Sequence, residues 1–185
     1  SPFNMKGVTI EILREIVATM GGLKAFKGVD CEHVAGMLKE FSVSARVGSY
    51  TSYLESIERK DSVGDATHFV CYSPKTLYLD LIDALDTHFE GSPTPNPMLW
   101  IDLTSRDQTR VPNYDKEWFK SVFPAAIRDM GSVVLVYDHH EGKSNQQQRR
   151  HNHRLQHNPL HRTWSLYQLH TALQGGVPVE VALTP

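Results

Sequence analysis

Between Val8 and Met20, apolar side chains recur at Ile10, Leu13, Val17 and Met20, with charged residues between them. That spacing collects them on one face of a helix, and Gly21-Gly22 marks its end. Cys31 to Phe41 repeats the pattern through Val34, Met37, Leu38 and Phe41, and Tyr50 to Arg59 is a third short candidate. Residues 1–62 are therefore expected to be a helical extension that packs on the rest of the chain, because a unit of that size is marginal by itself.

From Gly64 onward the pattern alternates between short apolar runs and helical periodicity, which predicts a parallel sheet with crossover helices over residues 63–185. Strands are expected near 66–72, 98–103, 132–138 and 177–183, and helices near 74–90, 115–130 and 163–174. Ser73 is placed to cap the first of these helices, Pro74 suits its first turn, and Leu77, Leu81, Ile82, Leu85 and Phe89 line its inner face. Pro124 should kink the second, and Gly175-Gly176 should end the third. In such a sheet, ligands collect beyond the carboxyl ends of the strands. That rule selects Tyr72-Ser73, Asp102 to Asp107, Asp138 to His140 and the start of the 163–174 helix.

Composition narrows the classes. A chain of 185 residues with 40% hydrophobic content can build a real core. Its 19 Lys and Arg against 21 Asp and Glu leave no general basic field, so nucleic acid is not an expected partner. Two cysteines, Cys31 and Cys71, fit a reduced, cytoplasmic setting. No apolar run approaches the roughly 18 residues that span a bilayer, so no membrane span is expected. The start lacks a basic-then-apolar leader pattern, and Ser1-Pro2 without an initiator methionine reads as a piece of a longer chain.

The run Arg162-Thr163-Trp164-Ser165-Leu166-Tyr167-Gln168-Leu169 resembles the active-site helix of Toll/interleukin receptor (TIR) domains, typically Ser-Arg-x-Trp-Cys-Leu-x-Glu-Leu. Ala66-Thr67-His68-Phe69-Val70-Cys71-Tyr72 and Met98-Leu99-Trp100-Ile101-Asp102-Leu103 are similar to the first two strands of a divergent eukaryotic branch of that family, and Ser132 to Asp138 stands in the place of the third. The resemblance covers 64 to about 184, with a looser match around Ser49-Tyr50. Tyr72-Ser73-Pro74 replaces His-Ala-Trp, Ser165 replaces the cysteine, and Gln168 replaces the glutamate.

The resemblance implies a flavodoxin-like α/β fold and cleavage of the nicotinamide–ribose bond of NAD+ by a hydrolase or cyclase. NAD+ is then a substrate, no separate cofactor or metal is implied, and self-association into an oligomer or filament is the implied partner interaction in immune-type signalling. A further helix and a fifth strand are usual in the family. Either they are missing here or the N-terminal extension covers their place. Gln168 would occupy the catalytic position, with Tyr72, Ser73, Asp102, Arg106 and Trp164 binding substrate. An amide keeps the shape of the carboxylate without its charge. Two unit charges about 4 Å apart at an effective dielectric near 20 attract by roughly 4 kcal/mol, about a thousandfold in rate. The chain as written should therefore be severely impaired, whether the glutamine is natural or introduced. The alternative is a non-catalytic TIR-like scaffold that signals by self-association, and a nucleotide-sensing domain of the same architecture is a third reading.

Each residue also has a plain structural reading. Trp164 is a natural core anchor, Asp102 can brace a loop, Tyr72 can close a strand end, and Arg106 can be a solvated surface group, although it suits a phosphate. The segment Gln146 to His161 carries His153, His157 and His161 at spacings that would align on a helix. Asn158-Pro159 interrupts that helix, so a polar insertion loop is expected there and no metal site.

Overall fold

The computed structural model describes residues 3–93, 96–109, 115–138 and 159–185. Residues 146–158 of the expected histidine loop, together with His139 and His140 of the expected rim, lie outside the described residues, and Pro159–His161 forms a short 3-10 helix. Within them the chain is α/β, with six strands in the order β2-β1-β4-β3-β5-β6. These are β1 (Lys6–Val8), β2 (Val63–Asp65), β3 (His68–Cys71), β4 (Leu99–Trp100), β5 (Val133–Tyr137) and β6 (Val179–Leu183). The four central and distal strands β4-β3-β5-β6 are parallel, in the order of a flavodoxin-like sheet. Among the described residues, no helix is long and apolar enough to cross a membrane.

Strand alternation divides the core between the two faces. Val70, Val134 and Val136 point to one face, where they meet α1 (Ile10–Thr19), α3 (Cys31–Ala45) and α5 (Tyr78–Phe89). Phe69, Cys71, Val133 and Leu135 point to the other, beneath α7 (Phe123–Met130) and α8 (Thr163–Gln174). Both faces are covered, which is why these strands read as near-continuous apolar runs. Short helices α2 (Gly22–Phe26), α4 (Tyr50–Ser56) and α6 (Asp102–Ser105) complete the fold.

The extension departs from the helical expectation. Besides its helices it supplies β1, which pairs antiparallel with both β2 and β4. It therefore widens the sheet at the β4 side and does not cover the β6 edge. A Cβ at Gly7 would lie 2.8 Å from the Leu99 backbone, so β1 reaches β4 this closely only with glycine there.

Three boundaries also move. The helix expected from residue 74 begins at Tyr78, because the carbonyls of Pro74 and Thr76 accept from Glu32 N–H (2.8 Å) and Cys31 N–H (2.9 Å). Those two donors belong to the first turn of α3, which needs partners from outside the helix; the 73–77 loop provides them and cannot also begin a helix. The strand expected over 98–103 stops at Trp100, and the chain folds at once into α6. The 115–130 helix contains a π-helical turn, Trp118–Val122, in place of a simple kink. Pro124 lacks an N–H, and the Phe123 N–H just before it bonds Trp118 one residue further back than in an α-helix. The 163–174 helix lies where its periodicity put it, with Gly176 at φ 67° closing the turn after it.

Candidate functional site

A cavity of about 270 Å³ opens at the carboxyl ends of β3 and β4, beside the start of α8. Its lining includes Tyr72, Asp102, Arg106, Trp164 and Gln168. Thus five of the six residues selected from sequence meet in one place, although they come from segments nearly a hundred positions apart.

Tyr72 is the residue after the end of β3, and Asp102 begins α6, directly after β4. Because β3 and β4 are parallel neighbours, their ends lie side by side, and the Tyr72 hydroxyl donates to the Asp102 carboxylate. Gln108 braces the same corner: its Nε2 donates to the Asp102 carbonyl at 2.6 Å, while its own N–H reaches the Gly48 carbonyl at 2.9 Å. Burial first, and then the negative charge of Asp102, raise the Tyr72 phenol well above its ordinary value. It is a firm proton donor at neutral pH.

Trp164 sits between the core and the cavity. One side packs in an aromatic cluster, with ring centroids 5.4 Å from Phe123, 5.6 Å from Tyr167 and 6.1 Å from Trp118. The other side faces the cavity. Gln168, one helical turn later on the same face, is only 6% exposed. Among the described residues, no hydrogen bond reaches its side-chain amide. Its side chain borders open space that a ligand can fill.

Ser73 is not brought to the cavity. It is fully buried, its carbonyl accepts from Thr76 N–H at 2.9 Å and its hydroxyl accepts from Lys75 N–H at 3.2 Å. It fastens the turn that carries Tyr72. Asp138 lies at the end of β5 and does not line the cavity.

Sequence reasoning missed Arg162, Gln108 and Cys31, all of which line the cavity. Arg162 was readable as part of the α8 motif, but nothing local showed which way it faced. Cys31 comes from α3 in the extension, so only tertiary packing reveals it. Neither thiol is a ready nucleophile. Burial pushes Cys31 well up, with Asp102 adding to the effect. Burial likewise raises Cys71 to about 12, although a hydrogen bond with Ser165 pulls it partly back.

The arrangement gathers two carboxylates, one phenol donor, two amides, two guanidinium groups and an aromatic wall around an open volume. It is suited to a polar ligand that carries hydroxyls, a ring and charge. No protein-family model matches the chain, and no significant match is found among curated proteins or solved structures.

Proposed function

We propose that the cavity is the NAD+ site of a TIR-like domain whose chemistry is cleavage of the nicotinamide–ribose bond, with Gln168 at the place of the catalytic carboxylate. The observation that carries this reading is that Gln168, on a largely buried helix position, lines the same cavity as Trp164 and Asp102. A glutamate at that point would face the ribose and stabilise the oxocarbenium-like cation formed as nicotinamide leaves. The amide retains hydrogen-bonding capacity but removes that charge, so this chain binds NAD+ but turns it over poorly. Self-association brings a second copy to complete the site. Calorimetric titration with NAD+ at concentrations where the protein assembles tests the reading: binding in the micromolar to millimolar range supports it, and no binding at millimolar ligand counts against it.

A non-catalytic, self-associating scaffold is the second reading. It is favoured by the glutamine itself and by apolar side chains left open on neighbouring elements: Leu166 and Leu173 of α8 are 50% and 68% exposed, and Val181 and Leu183 of the edge strand β6 are 53% and 55% exposed.

A further inference from the structure

The sheet ends in two different edges. At one side the outer strand β2 is three residues long, and its last residue, Asp65, pairs with Lys6 at 2.9 Å. Short, charged edges resist pairing with another chain. At the other side β6 runs for five residues, and its one charged residue, Glu180, is bonded to His88 at 2.8 Å and to Ser132 at 3.2 Å. The Pro178 carbonyl accepts from Val133 N–H, and Thr184 N–H donates to the Tyr137 carbonyl, so in this parallel register the backbones of residues 178, 180, 182 and 184 face β5. The N–H and C=O groups of Val179, Val181 and Leu183 therefore point outward, and among the described residues no strand pairs with them. On the face beneath α8, the side chains of Val181 and Leu183 are more than half exposed. The apolar strip continues on α8. Its Trp164 and Tyr167 lie against Phe123 of α7, and with about 3.6 residues per turn the exposed Leu166 and Leu173 project from the opposite side of the helix. Since α7 packs over β3 and α8 over β6, that side is the one toward the open edge.

From this arrangement we infer that the β6 edge docks a second copy of this chain, antiparallel, β6 to β6, about a twofold axis at Val181, so that one sheet runs through both copies. The strand is complementary to itself in this register. Val181 faces Val181 of the other copy as a hydrogen-bonded pair and Val179 faces Leu183, so apolar side chains meet apolar side chains. Glu180 faces Ala182 and meets no second carboxylate directly. The axis stands perpendicular to the sheet, so both copies of α8 lie on one face, and Leu166 and Leu173 of one copy face those of the other. Such an isologous contact closes at two copies and leaves only the short, charged β2 edges outside. The inference rests on the self-association proposed above, to which it adds the surface and the symmetry, and it does not depend on NAD+ or on the role of Gln168.

The test is sedimentation velocity of the full chain from low to high micromolar concentration. The wild-type chain should pass from monomer to dimer as concentration rises. Val181→Lys sets two like charges directly opposite each other and should weaken the dimer about tenfold or more, whereas Val43→Lys, at a similarly exposed position on α3, should dimerise as the wild type does. Because both positions are exposed, both variants should melt with the wild type at concentrations where it is monomeric. Val181→Cys reports the register. A hydrogen-bonded antiparallel pair holds its Cα atoms about 5.5 Å apart, within reach of a disulfide, so mild oxidation should give a covalent dimer from Val181→Cys and none from Val43→Cys. The native thiols of Cys31 and Cys71 are both buried and should stay out of the reaction. A wild-type chain that is monomeric throughout the range overturns the inference. So does a dimer or larger assembly that Val181→Lys leaves unchanged or that Val181→Cys does not cross-link, in which case self-association stands but uses another surface. NAD+ binding by the wild-type chain is measured separately: its absence from a Val181-dependent dimer counts against the cavity reading and leaves this surface standing.

Discussion

The hydroxyl of Tyr72 donates to the carboxylate of Asp102, tying the carboxyl end of β3 to that of its parallel neighbour β4. Thirty residues of chain separate the two groups, and only the sheet order brings them together. Hydrogen bonds to charged groups contribute roughly 1.5–3 kcal/mol. Tyr72→Phe should therefore lower stability by about 1–2 kcal/mol in urea denaturation, since Asp102 keeps contact with solvent in the cavity. An unchanged midpoint would show that the contact contributes nothing.

Phe123 occupies the centre of the aromatic cluster, within 6.0 Å of Phe3 and 5.4 Å of Trp164 and stacked on Trp118 at 5.2 Å. It is 1% exposed. Phe123→Ala should destabilise the protein by about 3–5 kcal/mol and loosen the wall on which Trp164 rests. Loss of near-ultraviolet circular dichroism at lower temperature than in the wild type is the expected reading; a shift of only a degree or two would place the cluster outside the cooperative core.

Gly7→Ala should destabilise through backbone crowding, because the new methyl would sit 2.8 Å from the Leu99 carbonyl carbon and oxygen. No flexible side chain can move aside, so β1 must separate from β4. Hydrogen exchange should show faster exchange at Val8 and Leu99 in the variant, whereas wild-type rates at both would mean that β1 tolerates the methyl.

Alkaline pH should weaken the fold. Burial lifts Cys71 from its ordinary 9.0 to about 12 and also raises Cys31 and Tyr72. Below about pH 9, folded and unfolded chains both hold the Cys71 proton, and its contribution is complete. Between about 9 and about 12 the unfolded chain releases that proton while the folded chain keeps it, so stability declines by about 1.4 kcal/mol per pH unit for each such group. Urea midpoints should be flat near pH 8 and fall above pH 9, with a shallower slope in Cys71→Ala. Midpoints independent of pH up to about 10.5 would contradict the burial of these groups.

The parallel sheet was legible because its strands are apolar on both faces and its helices carry their own periodicity; α8 could be read from residues 163–174 alone. What local sequence could not show was the exchange of hydrogen bonds between α3 and the 73–77 loop, which delays α5 to Tyr78. The three-residue strand β1 is too short for alternation to register. Tyr72, Asp102, Trp164 and Gln168 line one cavity because strand ends and a helix start come together at one rim. Ser73 does not line the cavity, because a position on the rim says nothing of the direction of its hydroxyl. Arg162 and Cys31 needed the tertiary fold, one for its orientation and the other because it arrives from the extension.

The central claim is that position 168 is where a carboxylate would drive cleavage of the nicotinamide–ribose bond. Nicotinamide release from NAD+ should be followed chromatographically for the wild-type chain, Gln168→Glu and Gln168→Ala, at concentrations where each assembles. The charge is needed in the cationic transition state more than in the bound substrate, so Gln168→Glu should raise turnover by about a thousandfold while NAD+ affinity changes little. Gln168→Ala should remain inert. If Gln168→Glu assembles and binds NAD+ yet releases no more nicotinamide than the glutamine form, position 168 is not the catalytic place and the scaffold reading replaces this one.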